Sequence, residues 1–264
     1  MSVSLIALGS LRGANSAVRV QRPSERRSAS RSATRALDVM ELFGTGKRPL
    51  RAVEICKALT MNPSTANQLL KTMVDSGHLL FDARAKTYVP SPRLAEFGSW
   101  VVDTYGAGGR LNQLIGDIKS RTGMVVTITT PNDLFMQIID SAIPQGMTAE
   151  RGLKVSVFGS AIGSAYLAML DDGEVLRLAD RARFTADQIA CILEEVARIR
   201  QDGFADGPSG DEAIWSIGLP LPLQGSRVPT VLGLAGPPEQ MRSNLAVYRQ
   251  IMGEAIKRWL VDSP

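Results

Sequence analysis

From residue 32 onward, apolar residues recur at helical spacing in short segments punctuated by glycine and proline. Ser32 can cap a helix whose apolar side is Ala36, Leu37, Met40 and Phe43, with Gly44 as its stop. A second helix is predicted over 51–59 with Val53, Cys56 and Leu59 inward, and only Thr60, Met61 and Asn62 separate it from a third. The third has the clearest limits. Asn62 is a favoured N-cap, Pro63 suits the first helical position, where no amide hydrogen is needed, and Gly77 can take the positive φ that ends a helix. Within it Ala66, Leu69, Leu70 and Met73 make one apolar stripe, while Ser64, Asn67, Gln68 and Lys71 fall on the opposite side. His78 to Phe81, a turn over 82–86 and Thr87 to Pro90 then read as a short β-hairpin carrying Arg84 and Lys86 at its tip. Three helices with a tight turn before the third, followed at once by a hairpin, make a winged helix-turn-helix.

Pro92 restarts the chain as a helix over 93–105 with Leu94, Phe97, Val101 and Val102 on one side, and Gly106, Gly108 and Gly109 break it. This is a linker helix whose apolar side is a candidate dimer contact. Beyond it the pattern becomes mixed: a helix over 111–121, strands over 124–130 and 134–141, a small-residue segment over 155–170 that starts as strand and becomes helix, a helix over 185–202 capped by Thr185, strands over 214–221 and 230–235, and a helix over 241–260. Helices around a curved antiparallel sheet give an α+β second domain. The expected division is a disordered basic tail at 1–31, the winged helix-turn-helix at 32–91, the linker helix at 92–109 and the second domain at 110–264.

Charge sharpens this division. Residues 1–107 carry 15 Lys+Arg against 8 Asp+Glu, whereas 108–264 carry 15 against 18, which together make the net +4 of the chain. A basic front and a mildly acidic back suit a nucleic-acid-binding module joined to one that avoids phosphate. The 31-residue start, rich in arginine and small residues, lacks the basic opening of a signal peptide, and no apolar run approaches the roughly 20 residues of a membrane span, so a cytoplasmic protein is expected. Cys56 and Cys191 show no paired spacing, and with His78 as the one histidine there is no ligand set for a metal. Phosphate-loop, dinucleotide and nucleophile-elbow patterns are absent, and Asp206, Asp211 and Glu212 have no histidine or nucleophile to work with. No enzyme and no cofactor is expected.

A helix such as the third fits the major groove of duplex DNA. Ser64, Thr65, Asn67 and Gln68 have the reach and hydrogen-bonding groups to meet base edges, and Gln and Asn are suited to adenine N6 and N7. Lys71 is long enough for phosphate, and Arg84 and Lys86 would neutralise backbone charge or enter the minor groove. The alternative, that this polar side is only the solvated back of a core helix, loses ground to the short turn, the basic wing and the basic front of the chain taken together.

The ordered set Ser32-Ala33-Thr34-Arg35-Ala36-Leu37-Asp38-Val39-Met40, Pro63-Ser64-Thr65, Leu69-Leu70, Met73-Val74, Gly77-His78-Leu79, Tyr88 to Leu94 and Phe97-Gly98 resembles the IclR family of bacterial regulators. The likeness continues through Gly152, Ser160 to Ala168, Arg200, Gly203-Phe204-Ala205, Ile217 to Leu221 and Gly236-Pro237. The resemblance implies a GAF-like effector domain that binds a small organic molecule, a homodimer or homotetramer, a palindromic operator, and action as repressor or activator. It also implies effector contacts at Phe158, where histidine is common, Ser160, Ala161, a retained Asp206, Ser216 in place of cysteine, and Gly233 and Ala235 in place of serines. Fewer donors and a phenyl ring point to an aromatic or otherwise weakly polar effector. The competing reading is a family member that has become a ligand- or protein-binding module without DNA binding.

Overall fold

The computed structural model describes residues 5–6, 18–21, 30–105, 109–147, 152–209, 214–223, 226 and 228–261. Internal contacts divide the chain into a unit spanning Arg26–Thr104 and a second made of Met1–Glu25 with Tyr105–Pro264.

In the first unit, α1 (Arg31–Gly46) is capped by Ser30, two residues ahead of the expected Ser32, and runs past Gly44 to a left-handed Lys47. It buries Val39 and Phe43, while Leu37, expected inward, is 66% exposed. The short α2 (Ala52–Ala58) is likewise rotated from expectation: Ile55 is fully buried with Ala52 and Leu59 beside it, and Val53 is 74% exposed. Ala52, Val53, Ile55, Cys56, Ala58 and Leu59 are apolar nearly all round so short a helix, so periodicity alone cannot choose its inner side. Helix α3 (Pro63–Asp75) matches expectation closely, with Asn62 Oδ1 accepting from Ser64 N–H at 3.0 Å and Ala66, Leu70 and Met73 buried. Strands β3 (Leu79–Asp82) and β4 (Thr87–Pro90) form the hairpin, and Leu50 adds a one-residue third rung by exchanging both backbone bonds with Tyr88. Helix α4 (Leu94–Tyr105) follows.

The second unit is built on one antiparallel sheet. Strands β1 (Leu5–Ile6) and β2 (Val18–Gln21) fall within the stretch expected to lack regular structure. After α5 (Arg110–Thr122) come β5 (Val125–Asn132), β6 (Phe135–Ala142), β7 (Lys154–Ser156), α6 (Ala161–Ala168), α7 (Asp172–Arg181), α8 (Ala186–Asp202), β8 (Ala205–Pro208), β9 (Trp215–Pro220), β10 (Val231–Gly236), α9 (Pro238–Ser243), α10 (Leu245–Ile256) and a π-helical turn at Lys257–Val261. The strand order is β1-β2-β7-β6-β5-β10-β9-β8. Besides β1 and β2, two further elements have no counterpart among the predicted ones. Helix α7 is signalled by Asp171, whose carboxylate caps Glu174 N–H, and β8 is too short and glycine-rich to read as a strand. The expected single C-terminal helix is broken at Asn244.

The sheet separates two cores. On one face α6, α7 and α8 pack Ile162, Val175, Val196 and Ile199; on the other α5 and α10 pack Leu114, Ile118, Met252 and Ala255 against Val126, Leu234 and Ile217. Arg200 ties the first group together, donating to the carbonyls of Ala168 and Leu170 and pairing with Asp172 at 2.7 Å. Among the described residues no helix is long and apolar enough to cross a membrane, and no three His, Cys, Asp or Glu side chains gather as a metal-ligand group.

Candidate nucleic-acid interface and effector site

Helix α3 is held between defined ends. At its start Asn62 Oδ1 accepts from both the backbone N–H and the hydroxyl of Ser64, the latter at 2.8 Å, so the Ser64 proton is committed to the cap and its oxygen is left as an acceptor. Asn67, Gln68 and Lys71 are exposed along the side opposite Ala66, Leu70 and Met73, and Thr65 is half-buried at the edge of that face. The polar face is thus free within its own unit, and its amide end carries the partial positive charge that favours phosphate.

The helix before it lacks the usual Ser, Thr, Asp or Asn cap. Glu54 substitutes from inside the helix: its carboxylate accepts from Arg51 N–H at 2.8 Å and from Arg48 Nη2 at 2.7 Å. The Arg48 bond and then the backbone bond hold the Glu54 carboxyl below the usual range, so it is charged where the helix amides need it. The wing is shaped by Asp82, whose Oδ1 accepts from the N–H groups of Arg84 and Ala85, while Lys86 takes φ 53°. Arg84 and Lys86 are both exposed at the tip, and Phe81 and Tyr88 stack across the strands with centroids 4.8 Å apart. His78 has a structural place: Ser76 Oγ lies 2.9 Å from its Nδ1, at the exit of α3.

In the second unit the strand register decides which residues can meet one ligand. Val125, Ala235, Ser216 and Gly207 are successive cross-strand partners, and so are Thr127, Gly233, Gly218 and Ala205. These two rows share the face that carries α6. Asp206 falls in neither row by register: it pairs with Ile217, at the end of the alternate row of Val126, Leu234 and Ile217. The residue that stands across from Ser216 is therefore Gly207; Asp206 stands one step along this four-residue strand, across from Ile217, and its charge still acts on Glu195 of α8.

Helix α6 lies directly on the second row. A Cβ on Gly218 would come 2.6 Å from the carbonyl of Ala161, and one on Gly233 would come 2.5 Å from Thr127 Oγ1 and 3.0 Å from Ile162. Gly233 is thereby explained by close helix–sheet approach. Ser160 and Ala161 are buried at the α6 N-terminus, where Ser160 Oγ donates to Ser156 carbonyl at 2.6 Å and accepts from Gly163 N–H. Phe158 is buried edge-on against Phe184, centroids 4.8 Å apart. Ser216 Oγ donates weakly to Gly207 carbonyl at 3.4 Å, and Ala235 is half-buried. Of the expected contacts, Ser216 and Ala235 are brought side by side, Ser160, Ala161 and Gly233 gather at the end of α6, and Asp206 is set apart. Asp211 and Glu212 lie outside the described residues.

A profile of the IclR helix-turn-helix domain matches residues 32–83. The HTH-type transcriptional regulator XynR of Escherichia coli is 22% identical over 214 residues, covering 77% of this chain and 85% of its own. The fold matches the crystal structure of an IclR family transcriptional regulator from Brucella abortus with a TM-score of 0.53 at 20% identity, over 91% of this chain and 95% of that one. It also matches the Thermotoga maritima IclR structure with a TM-score of 0.51 at 20% identity, over 86% of this chain and 98% of that one.

Proposed function

We propose that the chain is an IclR-type transcription regulator, with an N-terminal DNA-binding domain and a C-terminal effector domain, that it binds a palindromic operator as a homodimer or homotetramer, and that a weakly polar organic effector shifts its operator occupancy. The observation that carries this reading is the free polar face of α3, with Asn67, Gln68 and Lys71 exposed and Ala66, Leu70 and Met73 buried behind it. Asn67 and Gln68 read base edges; Lys71, Arg84 and Lys86 neutralise phosphates; Ser64 and Thr65 act near the helix start, Ser64 as an acceptor.

On α4, Phe97 is 59% and Trp100 63% exposed, three residues apart on one flank, which supports that helix as the contact between two copies. The division at 91 and 109 follows from the same reading, with α4 as the connection between the two functions. The effector lies over the row Val125, Ala235, Ser216 and Gly207 beside the α6 N-terminus. Ser216 is the one side chain in that row with a hydroxyl, and Val125, Ala235 and Gly207 bring no charged group, so the row offers a two- or three-carbon keto acid few donors in return for its lost hydration. The chain acts in the cytoplasm and performs no catalysis.

Mobility shift of the full chain on a duplex containing its own upstream region tests the DNA-binding reading; no shift at low salt would overturn it in favour of a binding module without DNA. Calorimetry with glyoxylate and pyruvate tests the effector reading, and tight binding of either would overturn it.

A further inference from the structure

We infer that Arg93 is a positioning residue for operator binding, fixing the recognition helix to the start of the linker helix; this rests on the DNA-binding reading of α3. Helix α3 ends badly on its own. Its last turn contains no basic residue and closes with Asp75, an anion at the negative end of the helix dipole. The missing cation comes from 17 residues further on: Arg93 Nη1 donates to the carbonyl of Ser76, the C-cap of α3, at 3.3 Å.

The same residue begins the next helix. Arg93 N–H donates to Ser91 Oγ at 3.3 Å and its carbonyl accepts from Glu96 N–H, while Ser91 N–H donates to the His78 carbonyl at 3.0 Å and His78 N–H to that of Met73. Exit of α3, base of the wing and entry of α4 are thus closed into one hydrogen-bonded joint. Gly77 takes φ 73°, the left-handed turn that brings the chain from α3 into the wing beside Arg93, whose Nη1 lies 3.6 Å from where a Cβ on Gly77 would stand. Any turn of α4 imposed from its far end reaches the base-reading side chains through this joint, because α4 is the covalent continuation of the wing.

The test uses the full chain and two labelled duplexes, one holding its upstream region and one of unrelated sequence, across a range of salt. Arg93→Ala should weaken binding to the first duplex about tenfold, as loss of one charge-assisted bond at the joint implies, and binding to the second by less than about twofold. The slope of log affinity against log salt should stay unchanged, and Arg93→Lys should recover most of the loss. Ser91→Ala should act in the same direction more weakly. An equal loss on both duplexes with a slope shallower by about 0.9 would make Arg93 a phosphate contact and overturn the inference. No change on either duplex, or an equal loss on both at constant slope, would also overturn it. If the wild-type chain bound neither duplex at low salt, the DNA-binding reading itself would fall first.

Discussion

The two units each set a short helix against a hydrophobic layer, and they do so with opposite polarity. In the first unit α3 buries Ala66, Leu70 and Met73, half-buries Thr65, Leu69 and Val74, and leaves its polar side exposed. In the second, α6 is buried from Ala161 through Leu167 and is pressed onto glycines of the sheet. A helix that reads a large partner must keep a face outside, whereas a site for a small molecule must be closed over by the fold. On the proposed reading, recognition is written on a helix face in one unit and in the pairing of strands in the other.

The sharpest way to break this contrast is at Gly163, where an added Cβ would come 1.9 Å from the Val157 carbonyl, a backbone atom with nowhere to move. Gly163→Ala is expected to cost at least about 3 kcal/mol in the second unit, measured by chemical denaturation, whereas the transition of the winged-helix unit should not move. Next in size is the paired test of α2. Ile55→Ala should cost about 2–5 kcal/mol, and Val53→Ala should stay within about 0.5 kcal/mol. Equal effects would mean that α2 is turned the other way.

Two carboxylates sharpen the contrast through pH. Burial, helped slightly by Asp206, holds Glu195 on α8 above the usual carboxylate range, against Arg198 and the hydroxyl of Ser164 at 3.4 Å. A carboxyl raised on folding weakens the fold as pH climbs from its unfolded pKa through the folded one. Glu195→Gln should therefore raise the thermal midpoint at neutral pH and bring no gain in acid. Glu54 on α2 has the reverse sign, because Arg48 and the Arg51 N–H favour its charge. Its stabilisation is complete above the unfolded pKa and fades as pH falls through the lowered one. Glu54→Gln should thus lower the midpoint slightly at neutral pH, with the difference shrinking in acid and in high salt, since the pair is solvent-exposed.

Much of the first unit was legible because its signals are local. Asn62, Pro63 and Gly77 mark the ends of α3 by backbone chemistry that needs no tertiary partner. The rotation of α1 and α2 was not, since Leu37 and Val53 are as apolar as the residues that won the inner side, and only the neighbouring helices decide between them. In the second unit, Thr185 capping α8 and the hairpin of β5 and β6 follow from sequence alone. The placing of Asp206 does not. Sequence order puts it near Ser216, but the register of β8 on β9, which only tertiary pairing sets, gives the place across from Ser216 to Gly207.

The most direct test of the central claim compares Gln68→Ala with Arg84→Ala in salt-resolved DNA binding by the full chain. The account predicts that Gln68→Ala lowers the ratio of upstream-duplex to unrelated-duplex affinity at unchanged salt slope, while Arg84→Ala weakens both duplexes and makes the slope shallower by about 1. Identical behaviour of the two variants, or no loss from either, would contradict it.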